Sequence, residues 1–222
     1  MNTAIIVAAG SGTRFGSDIP KQFVEIAGKP LLEHTLEKFE ACAEIDEIVL
    51  VLSADQISNF RSEIAKLKTV VAGGASRAES VLNGLTAVSE DTQIVAVHDG
   101  ARPLVSADEI SQTVRKALET GAACLVAEVS DTIKHVESGE IVRTVDRTKL
   151  RRALTPQAFR VDVLRRAFDE FGADASATDE CYLVEKLGVP ISCVEGSSRN
   201  IKVTRSEDIR LVDAILSEKA DS

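Results

Sequence analysis

The chain has 222 residues, of which 44% are hydrophobic and 27% charged, and its formal net charge at pH 7 is −9. A chain of this size can bury roughly 70% of its unfolded surface. This length is not unusual for one α/β domain and the composition is that of an ordinary globular protein, so we predict a single α/β domain over residues 1–222. The negative charge argues against a nucleic-acid duplex or an anionic membrane as partner, because both are bound by basic surfaces. A nucleotide monomer needs only a few local cations and remains possible.

The first apolar run leads into a glycine-rich turn. Ala4–Val7 predicts a buried strand, and the turn at residues 8–22 carries the cations Arg14 and Lys21. Glycines allow several backbone N–H groups to converge on one anion. Two fixed cations suit a polyphosphate that gains negative charge during a reaction. The turn therefore predicts a phosphate site, with a plain strand-to-helix connection as the alternative.

Two common nucleotide motifs do not fit this turn. Gly10 and Gly12 match the start of the dinucleotide fingerprint G-x-G-x-x-G, but Phe15 occupies its third glycine position. A P-loop requires lysine after its last glycine, whereas Ser17 follows Gly16. The turn thus indicates a different class of nucleotide site.

Beyond the turn, short β-branched runs alternate with amphipathic stretches. This alternation predicts βαβ units, with a largely parallel sheet and helices on both faces. Ligands of such sheets bind at the carboxyl ends of the strands. The chemically informative motifs follow predicted strands, so we expect them to share one site. The predicted strands are Ala4–Val7, Glu47–Leu52, Thr69–Val71, Gln93–Val97 and Ala123–Ala127, and the predicted helices are Leu32–Phe39, Ile57–Leu67, Ser80–Val88 and Ala107–Glu119.

A double glycine, Gly73-Gly74, follows the third predicted strand. It opens a helix whose first-turn N–H groups, with the Ser80 hydroxyl, could recognise a flat polar ligand edge. The alternative is a simple loop in which Ser76 caps the helix.

Charged residues follow two further strand candidates. Asp99 can hold magnesium together with phosphate oxygens, although an Asp at a strand end is as often a turn-former or a helix cap. Lys202 lies in an alternating segment that ends at Thr204, before a helix that begins near Glu207. This pattern predicts a lysine near another strand end.

Residues 131–149 interrupt the alternation. Two polar–apolar segments flank a turn at residues 137–140, which predicts a β-hairpin without a covering helix. An isolated hairpin is marginally stable, so we expect this one to pack on something else.

The cysteines and histidines show no metal-ligand spacing and no C-x-x-C motif. We therefore expect reduced, buried thiols and a cytoplasmic protein. No basic segment precedes the first apolar run and glycine interrupts that run, so we expect neither a signal peptide nor a membrane span. The residues concerned are Cys42, Cys124, Cys181, Cys193, His34, His98 and His135.

Together these motifs resemble the 2-C-methyl-D-erythritol 4-phosphate cytidylyltransferases, CTP-dependent enzymes of the non-mevalonate isoprenoid pathway. Two positions depart from the family pattern: Val7 replaces a frequent proline, and Ala75 replaces an acidic residue of some members, which leaves base recognition more dependent on backbone groups and Ser80. The matching segments occur in family order from residue 8 to residue 204, and they are AAGSGTRFG, PKQ, GGASRAESV, VHDGARP, DTIK, VDR, TPQ, TDE and EGSSRNIKVT.

The resemblance implies a Rossmann-like nucleotidyltransferase fold, Mg²⁺ as cofactor, and a homodimer in which residues 131–149 form an arm that hooks the partner subunit. It implies catalytic roles for Arg14, Lys21 and Lys202. It implies CTP contacts by Ala8, Ala9, Gly10, Gly12, Gly74, Ala75, Ser80 and Asp99, with Asp99 also beside the metal. It implies methylerythritol phosphate contacts by Arg102, Thr132, Arg147, Thr155 and Thr178.

The residues agree with transfer of CMP from CTP to a phosphate acceptor. A phosphate monoester is already nucleophilic at neutral pH, so positioning and charge stabilisation carry the catalysis. Two alternatives stay open. A ribitol 5-phosphate cytidylyltransferase would use the same chemistry, although the sequence Ala8-Ala9-Gly10 and the VDR and TDE segments favour methylerythritol phosphate. A non-catalytic CTP-binding protein would not need the cations.

Overall fold

The computed structural model describes residues 1–10, 20–174 and 177–220. At its centre lies a seven-stranded sheet with the strand order β11-β7-β10-β6-β1-β4-β5. Strand β10 runs antiparallel to both of its neighbours, and the other neighbouring pairs are parallel. The predicted mostly parallel sheet is therefore confirmed. The strands of this sheet are β1 (Asn2–Val7), β4 (Glu47–Leu52), β5 (Leu67–Ala72), β6 (Ile94–Asp99), β7 (Ala122–Glu128), β10 (Arg151–Arg160) and β11 (Ser192–Glu195).

The three strands β4, β1 and β6 carry the centre of the core. Ile5 pairs in register with Val49 on one side and Val97 on the other, and all three side chains are buried. Continuous β-branched runs of this kind suit parallel strands that are covered on both faces. The register also brings Val7 beside Asp99 at the carboxyl edge of the sheet.

Helices cover both faces of the sheet. One apolar cluster joins the sheet to α1 and α4, and a second joins its other face to α3, α5 and α6. The chain also contains the short strands β2 (Glu25–Ile26) and β3 (Lys29–Pro30). The helices are α1 (Leu31–Glu40), α2 (Ala54–Ile57), α3 (Arg77–Thr86), α4 (Ala107–Thr120), α5 (Val161–Phe171), α6 (Glu180–Lys186) and α7 (Ser206–Ala220).

The predicted helix Ile57–Leu67 is wrong. The chain is helical only over Ala54–Ile57 and then continues irregularly into β5. The helix-like spacing of Ile57, Phe60 and Ile64 has a different cause, because these side chains pack on the core from the end of α2 and from the irregular segment that follows it.

The expected strand around Lys202 is also wrong. Residues 201–204 have no regular secondary structure and pair with no strand of the described chain. Strand β10 and the helices α5 and α6 were not among the predicted elements.

Residues 133–145 form the predicted β-hairpin. Strands β8 (Ile133–Glu137) and β9 (Glu140–Val145) make a separate two-stranded sheet. Its turn places Ser138 and Gly139 at φ values of 49° and 86°, a conformation suited to a tight hairpin turn. Three apolar side chains of the hairpin are exposed: Val136, Ile141 and Val142.

Three of the four cysteines are buried as expected, whereas Cys193 is exposed, and all four are free thiols. In the part of the chain that is described, every helix is too short or too polar to cross a bilayer.

Candidate active site

A cavity of about 480 Å³ opens at the carboxyl edge of β1 and β6. This volume lies within the range of small-molecule sites. It brings together every described residue predicted to bind CTP or to act in catalysis. Among the described residues its lining comprises Val7, Ala8, Ala9, Gly10, Lys21, Gln22, Gly74, Ala75, Ser76, Arg77, Ser80, Asp99, Gly100, Ala101, Lys202 and Thr204.

Gly73 allows two walls of this cavity to approach each other. A β-carbon at this position would overlap the Ala9 side chain and lie 2.8 Å from Ser80 Oγ. The backbone N–H of Gly73 donates to Leu52 O at 2.7 Å, which ties the loop to the end of β4. A larger residue would therefore separate the loop after β1 from the loop after β5.

The loop of residues 73–76 is organised by hydrogen bonds to the first turn of α3. Ser76 caps the helix by accepting from Glu79 N at 3.0 Å. Gly74 N donates to Ser80 Oγ at 3.1 Å, and Ala75 N donates to Glu79 Oε2 at 2.6 Å. Ser76 is thus the N-cap of α3, and the N–H groups of Gly74 and Ala75, which precede the helix, already have partners within the loop.

Two hydrogen bonds within the loop fix the orientation of the Ser80 hydroxyl group. It donates to Ser76 O at 2.8 Å and accepts from Gly74 N, which leaves one free lone pair and no free hydrogen. Toward a ligand, this hydroxyl can act only as an acceptor.

Asp99 is the centre of a buried ion cluster. Its Oδ1 accepts from Arg77 Nε at 3.0 Å, and its Oδ2 lies 2.9 Å from Lys202 Nζ and 3.4 Å from Arg102 Nε. Burial acts to raise the pKa of the Asp99 carboxyl, but Arg77, Lys202 and Arg102 outweigh it and hold that pKa far below its usual range. The cluster is completed by Glu180, which pairs with Arg77 at 2.6 Å.

Two side chains and one backbone hydrogen bond, rather than pairing with a strand, hold the segment that carries Lys202. Lys21 Nζ donates to Val203 O at 3.1 Å, and Val203 N donates to Ala101 O at 2.8 Å. Arg102 Nη1 donates to Asn200 O at 2.8 Å. These contacts place Lys21 and Lys202 on the same cavity although they lie far apart in the sequence.

A buried hydrogen-bond chain lies behind Asp99. His98 Nε2 lies 3.2 Å from Arg102 O, a pure acceptor, so this nitrogen carries the proton. His98 Nδ1 therefore accepts from Thr155 Oγ1 at 3.0 Å, and Thr155 Oγ1 accepts from Asp99 N at 3.2 Å. Burial lowers the pKa of His98 to about 3 and keeps the ring neutral. Thr155 is buried and supports Asp99 from behind, away from the cavity surface.

The remaining predicted residues are not brought to the cavity of the single chain. Thr132, Arg147 and Thr178 are exposed elsewhere, and Arg147 donates to the backbone oxygen of Ser130. Arg102 lies behind Asp99 in the ion cluster. Two predicted phosphate contacts, Gly12 and Arg14, lie outside the described residues.

Direct magnesium binding by Asp99 does not fit this arrangement. Asp99 is the one carboxylate among the described residues that line the cavity, and both of its oxygens already face cations. The described residues contain no group of three or more acidic, histidine or cysteine side chains placed to hold a metal ion. A divalent ion at Asp99 would meet three positive charges, so its oxygen ligands would have to come mainly from a bound polyphosphate.

The sequence profile of the 2-C-methyl-D-erythritol 4-phosphate cytidylyltransferases matches residues 2–218. The chain belongs to this family. A member from Alkaliphilus metalliredigens is 40% identical, with 99% of this chain and 94% of that protein aligned.

Solved structures of family members have the same architecture. The enzyme from Anaerococcus prevotii superposes with a TM-score of 0.85 at 30% identity, over 97% of both chains. The cytidylyltransferase from Thermus thermophilus superposes with a TM-score of 0.80 at 31% identity, over 98% of this chain and all of that one. The expected Rossmann-like nucleotidyltransferase fold is therefore confirmed.

One relative is a longer protein. The bifunctional enzyme IspD/IspF of Desulfotalea psychrophila is 43% identical over 99% of this chain, but the match spans 58% of that enzyme. The shared part is the cytidylyltransferase-like one, because the Alkaliphilus protein is matched over nearly its whole length.

Sequence reasoning missed three residues of this family site: Arg77, Glu180 and His98. Arg77 and His98 stand inside recognised motifs, but only the fold shows that they contact Asp99 or its supports. Glu180 also stands inside a recognised motif, TDE, but it lies at the start of α6, an element the sequence did not predict.

Proposed function

We propose that this chain transfers the cytidylyl group of CTP to the phosphate of 2-C-methyl-D-erythritol 4-phosphate and releases pyrophosphate. The observation that carries the proposal is the shared cavity of Lys21 and Lys202, which lies between the loops after β1 and β5 in a member of this cytidylyltransferase family. Cations and loop glycines at the carboxyl edge of a parallel sheet suit a nucleotide triphosphate.

The chemistry follows from the charges. An acceptor phosphate oxygen attacks the α-phosphorus of CTP, a new P–O bond forms, and the bond to the pyrophosphate oxygen breaks. The departing pyrophosphate keeps that electron pair. Lys21 and Lys202 act as compact positive charges that bring the two anions together and stabilise the charge gained in the transition state. The acceptor oxygen is already unprotonated, so this step needs no general base.

Recognition of cytosine follows from Ser80. Its free lone pair can accept from the exocyclic amine of cytosine, whereas the corresponding oxygen of uracil offers no hydrogen. The narrow separation of the two loops at Gly73 favours a pyrimidine over a purine.

The acceptor half of the site is proposed to come from two chains. Thr132 and Arg147 flank the strands of the exposed hairpin, and in a homodimer joined by this arm they would reach the neighbouring cavity. Thr178 would contribute to the same acceptor region. Magnesium would enter with the triphosphate and neutralise part of its charge, held by phosphate oxygens. We place the reaction in the cytoplasm, in keeping with the four free thiols.

A pyrophosphate-release assay tests the proposal. CTP with methylerythritol phosphate should give turnover, and replacement by ATP or GTP should abolish most of it. Ribitol 5-phosphate in place of methylerythritol phosphate tests the nearest alternative acceptor. Faster turnover with ribitol 5-phosphate would overturn the acceptor assignment, and CTP binding without pyrophosphate release would indicate a non-catalytic binding protein.

A further inference from the structure

Arg77 belongs to the GGASRAESV motif but has no task in the reaction described above. It is the first residue of α3 and is half-buried at the wall of the cavity. Its Nε donates to Asp99 Oδ1 at 3.0 Å, and its Nη1 donates to Glu180 Oε1 at 2.6 Å. One guanidinium group thus joins the start of α3, the end of β6 and the start of α6.

Both carboxylates that Arg77 joins are buried, so their positions depend on this pairing. Glu180 Oε2 has no hydrogen-bond partner among the described residues, which leaves Arg77 as the cation that holds Glu180. Burial acts to lower the pKa of Arg77, but Glu180 and Asp99 outweigh it and keep the guanidinium charged. A planar, permanently charged fork is well suited to fix two carboxylates at once.

Arg77 and Lys202 use different oxygens of Asp99. Arg77 occupies Oδ1, and this fixes the rotation of the carboxylate so that Oδ2 faces Lys202 and Arg102. Without Arg77, Oδ1 would lose its cation and could bind Lys202 in addition to Oδ2. Lys202 would then be held more tightly and would be less available to phosphate.

The net charge of the cluster also indicates that Arg77 favours the binding of phosphate at Lys202. Arg77, Arg102 and Lys202 outnumber the two carboxylates by one positive charge. Loss of Arg77 would leave the cluster neutral and would reduce its attraction for an incoming phosphate.

We propose that Arg77 is a positioning residue for cytidylyl transfer, which orients the Asp99 carboxylate and thereby places Lys202 for the phosphates. The inference rests on the proposed role of Lys202. It predicts that Arg77 acts through Lys202 and not through its own contact with substrate.

The test must separate this role from a structural one. Removing Arg77 alone leaves Glu180 buried without a cation and endangers folding. The reference is therefore Glu180→Gln, which breaks the pair with Glu180 but keeps Arg77 on Asp99. The test variant is Glu180→Gln with Arg77→Gln, and thermal unfolding confirms that both variants are folded.

The effect of Arg77→Gln on kcat is measured in two backgrounds, one with Lys202 and one with Lys202→Gln. With Lys202 present, adding Arg77→Gln to the reference should lower kcat for pyrophosphate release roughly ten-fold or more, with KM for CTP changed less than about three-fold. With Lys202→Gln, the same addition should lower kcat less than about three-fold, because residues that act through one another are not additive. Equal losses in both backgrounds, or no loss in either, would overturn the inference.

Crystal structures of the reference and test variants give a measurement that does not depend on turnover. We expect a rotated Asp99 carboxylate only where Arg77 is replaced. An unchanged pair of Asp99 and Lys202 in the test variant would overturn the inference even if wild-type enzyme is active. Absent turnover in wild-type enzyme would instead count against the proposed function.

Discussion

The ion cluster around Asp99 and the hairpin of residues 133–145 differ in how fully their side chains find partners within one chain. Within the cluster, Asp99 is buried and holds three cations at 2.9–3.4 Å. In the hairpin, Ile141 and Val142 are more than half exposed, and within the described ranges the two strands pair only with each other. The nucleotide cavity is thus lined within one chain, whereas the hairpin leaves apolar side chains uncovered, in keeping with the proposal that a partner chain completes the acceptor side.

The largest effect is expected from Lys21→Ala, which removes a charge from the half that is complete in one chain. We expect kcat to fall roughly 10²-fold or more, as when one preorganised charge-stabilising partner is lost. CTP binding should weaken less, because this charge matters most as the transition state forms. Steady-state pyrophosphate release measures both quantities.

Lys116→Ala is the matched control for this experiment. Lys116 lies on α4 and pairs with Glu119 at 2.8 Å on the surface. The control should keep the wild-type kcat. A Lys21→Ala variant with normal kcat and a raised KM would limit Lys21 to ground-state binding.

A smaller loss is expected from Asp99→Asn. The amide no longer carries the charge that holds Arg77 and Lys202, so kcat should fall about ten-fold, equivalent to ~1.4 kcal/mol of transition-state stabilisation. The magnesium concentration for half-maximal rate should stay within about two-fold of the wild-type value, because phosphate oxygens hold the metal. A magnesium titration measures it, and a many-fold increase would establish Asp99 as a metal ligand.

The Ile141→Ser substitution tests whether the exposed hairpin forms the dimer interface. If the hairpin is the dimer arm, the dissociation constant should rise about ten-fold, equivalent to ~1.4 kcal/mol. The unfolding free energy of the monomer should change by less than about 0.5 kcal/mol, because the side chain is exposed in the single chain. Sedimentation equilibrium and urea unfolding give the two values.

Leu211→Ser is the control, because Leu211 on α7 is similarly exposed but lies off the hairpin. It should leave the dissociation constant unchanged. An unchanged dissociation constant in Ile141→Ser as well would mean that the hairpin is not the interface.

Complementation between two inactive variants gives the smallest signal, and it tests directly whether two chains contribute residues to one site. Lys21→Ala and Arg147→Ala chains are each expected to be inactive. Mixed in equal amounts under subunit exchange, half of the dimers pair the two variants, and one of the two sites in each is intact. About a quarter of wild-type activity should return, as two-fold symmetry requires. No recovery despite demonstrated exchange would show that each subunit builds its own site.

The sequence predicted the regions where local pattern and tertiary packing agree. The buried runs that became β1, β4 and β6 are apolar enough to specify strands by themselves. The segment after Ile57 shows the opposite case. Its apolar spacing indicated burial correctly but secondary structure wrongly, because an irregular chain can place side chains on a sheet at the same intervals.

The candidate site was predictable to the extent that its residues lie within local motifs. The cavity confirms the predicted grouping of Lys21, Asp99 and Lys202. The motifs could not show that Arg77 shares Asp99 with Lys202, because that contact depends on how α3 and β6 pack together. Nor could they show that the Thr155 hydroxyl is used by His98, since β10 was not among the predicted strands.

The contact between Lys21 and the Val203 backbone has a consequence for synthesis of the protein. Its two residues are separated by 182 positions, so Lys21 leaves the ribosome long before the segment that fixes it. The loops after β1 and β5 can meet earlier, but Lys202 cannot join them until the segment after β11 has been synthesised. A nascent chain would therefore acquire its nucleotide pocket in stages, and proteolytic loss of the segment after β11 would remove the second lysine of that pocket.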